Sequence, residues 1–360
     1  MASRVLLHLF LQNRQAPLRT SSQKLPPLNF LPALRIAHPS GIRFNFLVPC
    51  PPLRAAILDL GSNTFKLLLA EQSGSTLRIH HEKAYPVRLG QGVALTGKIR
   101  PTTCLRALRL LARLQRKILL FHPNKVLAVA TGTLRLARNR QSFLLPASRI
   151  LGRKISLLTG HTEGRLIALA ARQLSSTRSP RFHIDLGGGS LEVIDSRHPS
   201  RPTIISLNLG CVAIRDTLLP HHPPSPLAWL HATTQIQKAL KKIRRPARPT
   251  HASFSGGTGH AYACLLQRKN IKARRLEGSR LHLTKVNSLI DQIRPLTLSH
   301  LRRLPGMPAD RASVALSAFL VLRETMVRLQ LTSVQLTTHG LRYGVWLDQI
   351  APVPLKKILR

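Results

Sequence analysis

Arg54-Ala-Ala-Ile-Leu-Asp59-Leu-Gly-Ser-Asn-Thr-Phe65 and Arg181-Phe-His-Ile-Asp185-Leu-Gly-Gly-Gly-Ser-Leu-Glu192 are two versions of one pattern. Each has a short apolar run, a carboxylate near its end, and a turn rich in glycine, serine or asparagine. The run reads as a buried strand, and the chain beyond the turn as its returning partner. Such a turn exposes backbone N–H groups with no Cβ in the way, so it can cradle phosphate oxygens. Gly61, Ser62 and Asn63 form the first turn, and Gly187, Gly188, Gly189 and Ser190 the second. The carboxylates repel phosphate, so their use is to hold Mg²⁺ that bridges to phosphate or to orient a water. One such turn could be a plain hairpin. Two of them make an internal repeat, which implies an α/β protein of two similar lobes facing across a cleft.

Working outward, strands are expected at Thr64–Glu71 and Leu77–Val87. Pro101–Phe121 carries leucines, alanine and isoleucine at spacings of three and four with arginines between, an amphipathic helix. A strand at Lys125–Ala130, a helix at Thr133–Leu145, a strand at Lys154–Leu158 and a helix over Thr162–Leu174 follow, up to a polar break at Ser175–Pro180. The second unit repeats the cycle with strands at Leu191–Asp195 and Pro202–Leu209 and a helix over Ser225–Ile243, with Pro226 in its first turn. After a strand at His251–Phe254, Ser255-Gly-Gly-Thr-Gly259 is a third candidate phosphate turn. It precedes a helix at His260–Gln267 whose N-terminus favours an anion. Arg268–Arg280 reads as a basic loop, Thr284–Ile293 and Asp310–Leu329 as helices, and Ser333–Thr337 as the last strand.

Lysine and arginine number 55 against 13 acids, a formal net charge of +42 over 360 residues. A hydrophobic fraction of 43% supplies a sizeable core and excludes wholesale disorder. No apolar run approaches the ~18–20 residues of a membrane-spanning helix, so no membrane association is expected. Aromatics at 4% are too few for base-stacking platforms, and the bases are spread along the whole chain, which disfavours nucleic acid as a partner. The charge has two readings, a general loss of acids and an electrostatic funnel for a polyanion. Lys238–Arg248 and Arg268–Arg280 would add a salt-sensitive track to the funnel. Cys50, Cys104, Cys211 and Cys264 are widely spaced and show no zinc pattern, so a reducing cytoplasm is the expected compartment. Residues 1–54 hold no acid and many prolines. They read as a disordered extension or an over-extended start, with a targeting peptide as the alternative.

Further motifs fall in a fixed order. They are Val87-Arg88-Leu-Gly-Gln-Gly92, Ala128-Val-Ala-Thr-Gly-Thr-Leu-Arg135-Leu-Ala-Arg-Asn139, Thr159-Gly-His-Thr-Glu163-Gly-Arg-Leu166 and Leu209-Gly-Cys-Val212. Leu304-Pro-Gly-Met-Pro-Ala-Asp-Arg311 and Gly340-Leu-Arg-Tyr-Gly344 complete the set. With the two aspartate turns and Ser255-Gly-Gly-Thr258, this series resembles the exopolyphosphatase / guanosine-pentaphosphate phosphohydrolase (Ppx/GppA) family, over Ala55 to about Leu347. The resemblance implies a two-lobed actin-like ATPase (ribonuclease H-like) fold. Its implied division is an extension at 1–54, lobe I at 55–166, lobe II at 167–350 and a basic tail at 351–360. Many members carry a further C-terminal helical domain with HD-type metal motifs, and this chain resembles the short form.

The resemblance also implies roles. Glu163 matches the glutamate that activates water against a terminal phosphate, with Asp185 and Glu192 beside it in the catalytic set. Asp59, Asp185 and Glu192 would hold Mg²⁺ or another divalent cation. Arg88 and Arg135 match arginines that face the cleft, and Gly257 and Thr258 belong to the third phosphate turn. The implied partner is polyphosphate or guanosine pentaphosphate, and a homodimer is admitted. Leu191 stands where a threonine is usual, Thr162 where an acid often precedes the glutamate, and Tyr343 where the closing motif has a glutamate. Ala312-Ser313 replaces an acidic residue after Arg311. These departures favour, as the alternative, a catalytically weak polyphosphate- or nucleotide-binding regulator.

Overall fold

The computed structural model describes residues 52–174, 181–198, 201–247, 251–351 and 353–359. The extension before residue 52 and the break at 175–180 lie outside these residues.

Strands β1 (Leu53–Leu60), β2 (Thr64–Ser73) and β3 (Thr76–Pro86) form an antiparallel meander. Helices α1 (Val93–Thr96) and α2 (Pro101–Phe121) lead to β4 (Lys125–Ala130), parallel to β1. Next come α3 (Thr133–Leu136), α4 (Gln141–Leu151), β5 (Ser156–Leu157) and α5 (Gly160–Leu174). The second half repeats the meander with β6 (Phe182–Leu186), β7 (Leu191–Asp195) and β8 (Thr203–Leu207). Helices α6 (Cys211–Thr217) and α7 (Pro226–Leu240) lead to β9 (Ala252–Ser255), parallel to β6. There follow α8 (Gly257–Leu266), a 3₁₀ turn at Ala273–Leu276, β10 (Arg280–His282), α9 (Leu283–Ile293), α10 (Leu298–Arg303) and α11 (Ala315–Arg328). The chain continues through β11 (Ser333–Leu336), α12 (Leu341–Gln349) and β12 (Lys357–Leu359).

The strands make two sheets, ordered β12-β3-β2-β1-β4-β5 and β10-β11-β9-β6-β7-β8. Without the edge strands β12 and β10, both read third, second, first, fourth, fifth, with matching antiparallel and parallel pairings. The repeat in the sequence is a repeat of topology, and the fold is the two-lobed actin-like α/β arrangement.

β1 is covered on both faces. Ala56, Leu58 and Leu60 pack with Leu111 and Leu114 of α2 and Phe143 of α4, while Ala55 and Ile57 pack with Ile167 and Ala170 of α5 and Trp346 of α12. That is why it reads as an unbroken apolar run instead of an alternating one. In the second lobe Phe182, Ile184 and Leu186 join a core with Ile236, Leu289 and Phe319 from the helices. Helix α5 lies between the sheets. Leu166 and Ile167 share a cluster with Ile194 of β7, and a Cβ on Gly164 would sit 2.4 Å from Ile204 Cγ2.

The structure departs from the sequence reading in several places. The helix expected at Thr133–Leu145 is broken between α3 and α4, and α4 runs on through Pro146. Asn139 causes the break by accepting from the Ile99 N–H at 2.8 Å and donating to the Ile99 carbonyl at 3.0 Å. Helices α1, α6, α10 and α12, the 3₁₀ turn at Ala273–Leu276 and strands β10 and β12 are additional to the expected elements. The division at residue 350 also gives way. Leu341, Val345 and Trp346 join the cluster on the first sheet, and Lys357–Leu359 pairs with Thr76–Arg78 of β3 instead of forming a free tail. Trp346 Nε1 donates to Gln72 Oε1 at 2.8 Å, and Gln72 Nε2 donates to the Val353 carbonyl at 3.0 Å. Among the described residues no helix is long and apolar enough to cross a membrane.

Candidate active site

Asp59 and Asp185 occupy the next-to-last positions of β1 and β6, equivalent places in the two lobes. The turns after them meet backbone to backbone. A Cβ on Gly188 would lie 2.9 Å from Ser62 Cβ, and one on Gly189 2.9 Å from Ser62 Oγ. On the far side, a Cβ on Gly210 would lie 2.3 Å from the Gly189 carbonyl carbon, so only glycine fits there. Ser62 Oγ accepts from the Thr133 N–H at 2.9 Å and its carbonyl from the Gly90 N–H at 2.8 Å, which fixes the first turn. These turns wall a cavity of about 820 Å³ lined by Asp59, Gly61, Ser62, Asn63, Glu163, Asp185, Gly187, Gly188, Gly189, Ser190 and Gly257.

Glu163 enters from the first turn of α5 and is buried. Arg135 of α3 donates to its Oε2, to the Leu158 carbonyl at 3.3 Å and to Ser190 Oγ at 3.0 Å. Burial pushes the Glu163 carboxyl up to about 7 against the pull of Arg135, and the charges of Asp185 and Asp59 push the same way. A carboxyl poised there can exchange a proton near neutral pH.

Glu192 stands directly across the hairpin from Asp185 and is fully buried. Ser206 donates to its Oε1 at 2.8 Å, and Arg135 Nη2 lies 3.6 Å from the same oxygen. Burial first, then Glu163 and Asp185, hold its carboxyl well above the ordinary range, which favours the neutral form. Glu192 is not part of the cavity wall.

In the first lobe Lys66 occupies the place across the hairpin from Asp59, with Nζ 3.5 Å from Asp59 Oδ2. Asp59 Oδ1 and Asn63 Nδ2 are buried without a protein partner among the described residues. An orphaned carboxylate oxygen suits a cation, and an orphaned amide suits a phosphate oxygen. No group of three or more His, Cys, Asp or Glu side chains arranged for a metal occurs among the described residues. Asp59 and Asp185, with Asp59 Oδ1 unpartnered, are the carboxylates that would hold a divalent cation of the kind bound by one or two carboxylates. Glu192 Oε2 is likewise buried without a protein partner among the described residues, but Glu192 does not line the cavity, so it stands behind this pair.

The sequence-derived site is thus brought together with four exceptions to the cleft-facing picture. Arg135 and Glu192 lie behind the wall, Thr258 is buried within α8, and Arg88 is not on the wall. Arg88 has φ 53° and donates its backbone N–H to the Asn63 carbonyl at 2.9 Å, so it shapes the first turn through its main chain. Leu191 joins the lobe II core, which explains an apolar residue there. Tyr343 donates to Glu82 Oε2 at 3.1 Å. Several wall residues escaped the sequence reading, among them two cations beside the turns, Lys66 and Arg311. Lys66 was discoverable from hairpin register, and Arg311 from its place at the end of a quoted motif. A Cβ on Gly257 would fall 2.2 Å from the Arg311 guanidinium carbon, so this cation lies flat against the third turn.

Comparison with known proteins agrees with this geometry. Residues 68–352 match the model of the Ppx/GppA phosphatase family. The chain belongs to this family. A guanosine-5'-triphosphate,3'-diphosphate pyrophosphatase from Pseudoalteromonas translucida is 28% identical to this member over 81% of the chain and 58% of its own length. The chain therefore spans little more than half of that relative. An uncharacterized protein from Streptomyces coelicolor is 27% identical over 84% of the chain and 92% of its own length. A solved structure of the Aquifex aeolicus PPX-GPPA enzyme is 25% identical, with a TM-score of 0.69 covering 83% of this member and all of that chain. An exopolyphosphatase from Cytophaga hutchinsonii, 21% identical, shares the fold with a TM-score of 0.70 over 82% of this chain and 96% of its own.

Proposed function

We propose that the chain is a phosphohydrolase that removes the terminal phosphate of inorganic polyphosphate, the 5′ γ-phosphate of guanosine pentaphosphate, or both. The observation that carries this reading is Glu163, buried and near 7, entering the cavity between two aspartate-bearing phosphate turns. In this reading Glu163 takes a proton from the attacking water. The backbone of Gly61–Asn63 and Gly187–Ser190, with Asn63 Nδ2, orients the phosphate oxygens. Arg135 holds the Glu163 carboxylate in place and offsets its charge. A Mg²⁺ held by Asp59 and Asp185 would supply positive charge to the phosphoryl oxygens. The family, and relatives named as guanosine-5'-triphosphate,3'-diphosphate pyrophosphatases, support this substrate class. A cytoplasmic location belongs to this reading, and the free, buried thiols of Cys104, Cys211 and Cys264 support it.

A second reading, a catalytically weak polyphosphate- or nucleotide-binding regulator, draws on one observation. Arg135 is bonded directly to Glu163, which opposes its use as a base. Phosphate release from both substrates with Mg²⁺ separates the two. Release that depends on Glu163 is the expected result. Tight binding without release favours the regulator.

A further inference from the structure

Strands β6 and β9 run in parallel register, with His183 opposite Ser253 and Asp185 opposite Ser255. Strand alternation sends Phe182, Ile184, Leu186, Ala252 and Phe254 into the lobe II core. It gathers His183, Asp185, Ser253 and Ser255 on the other face. His183, Ser253 and Ser255 are all buried, where apolar side chains avoid the penalty of desolvating polar groups. Instead the polar groups connect. Ser253 Oγ lies 2.6 Å from His183 Nδ1, His183 Nε2 lies 3.0 Å from Ser255 Oγ, and Ser255 donates its hydroxyl to Asp185 Oδ1.

Donor counting gives this chain a direction. A serine has one O–H, and that of Ser255 points at Asp185. Ser255 therefore cannot also donate to His183, so Nε2 carries the ring proton and donates to Ser255 Oγ. His183 is fully buried, where an uncompensated charge is costly, so the ring is neutral and, with its proton on Nε2, keeps a lone pair on Nδ1. Nδ1 then accepts the O–H of Ser253. Every bond points toward the carboxylate, and each polarises the next.

We propose that Ser253, His183 and Ser255 are positioning residues that hold Asp185 by Oδ1 from behind and leave its Oδ2 for a ligand in the cavity. Ser255 also opens the third phosphate turn, so the relay links that turn to the second. The inference rests on the reading of Asp185 as a working, cation-holding carboxylate.

The test uses the full chain as wild type, Ser255→Ala, His183→Phe and the conservative Ser255→Thr. Binding of Mn²⁺ alone is followed by electron paramagnetic resonance, and the His183 tautomer by NMR of ring-labelled protein. Melting temperature and phosphate release are measured beside them. The wild type is expected to show the Nε2–H tautomer. Mn²⁺ affinity is expected to weaken about 10- to 100-fold in Ser255→Ala and His183→Phe, the usual effect of removing a support behind a ligand. Ser255→Thr is expected to stay within about threefold. If His183→Phe does not fold, Ser255→Ala decides. Unchanged Mn²⁺ affinity in Ser255→Ala beside a lowered melting temperature would overturn the proposal, as would an Nδ1–H tautomer or a wild type that holds no Mn²⁺. A wild type that binds Mn²⁺ but releases no phosphate would overturn the hydrolase reading alone, since affinity and tautomer are read without turnover.

Discussion

Replacing Glu163 by glutamine keeps the shape of the side chain and removes its titration. In the folded chain the carboxyl is raised from an ordinary 4.5 to about 7, chiefly by burial. The folded state therefore binds a proton that the unfolded state has released, throughout the interval between these values. Stability from this group is fully present below 4.5 and is lost as pH rises through 7, the reverse of a salt-bridged surface carboxylate. At about 1.4 kcal/mol for each pH unit of the interval, the wild type loses about 3 kcal/mol that the glutamine variant does not. Urea unfolding of both proteins at several pH values from 4 to 8 reads this directly, as a difference that grows toward the variant with rising pH. Turnover should move the other way. Loss of a general base is expected to cost about 10²- to 10⁴-fold. Wild-type turnover should climb with pH and level off above about 7, while the residual rate of the variant stays flat. A stability difference that is constant between pH 4.5 and 7 would show that Glu163 is not a raised carboxyl, and turnovers that agree within about tenfold that it is not the base.

Three further outcomes follow from other parts of the site. Arg135→Met removes the group that holds Glu163 down, so the acid limb of the pH–rate profile should shift to higher pH; an unmoved limb would uncouple the two residues. Gly210→Ala drives a Cβ into the backbone of Gly188 and Gly189 and should abolish phosphate release, with overpacking costing about 1–3 kcal/mol in denaturant. Gly74→Ala, at φ +54° with open space around it, should keep its activity and is the control. Binding of long polyphosphate should weaken steeply with salt, as a negative log–log slope, and a flat slope would assign the charge of +42 to composition alone.

The two aspartate turns were legible because each needs a distinctive local sequence: a fully buried strand, one acid, then residues tolerant of close approach. Helix α2 was legible for a different reason, since a sustained 3–4 spacing has few other readings. What escaped depends on contacts distant in sequence. The break between α3 and α4 is set by Asn139 reaching Ile99, which no window around residue 137 contains. Helix α12 carries Gly344, a weak helix former, because a Cβ there would fall 2.0 Å from the Leu166 carbonyl oxygen of α5. At the site, the two aspartates were legible from their turns and Glu163 through the family resemblance, but not which way their neighbours face. Glu192 and Lys66 occupy equivalent places across two hairpins, and only the packing beneath shows one buried behind the wall and the other paired at the cleft. The relay was visible as His-x-Asp and Ser-x-Ser, a period of two that becomes informative only once β6 and β9 are known to be neighbours.

The first sheet takes its outermost strand, and α12 behind it, from residues 341–359. In the sequence these residues follow every other strand of the first sheet and the whole of lobe II. Lobe II, from β6 to β11, is contiguous and can close as soon as it has left the exit tunnel. The first lobe, although made earlier, has only α5 to cover Ala55, Ile57 and Leu68 until Trp346 completes the cluster. The first lobe is therefore complete only once lobe II has been made. The earlier-made half is the one that needs protection from aggregation while the remainder of the message is read.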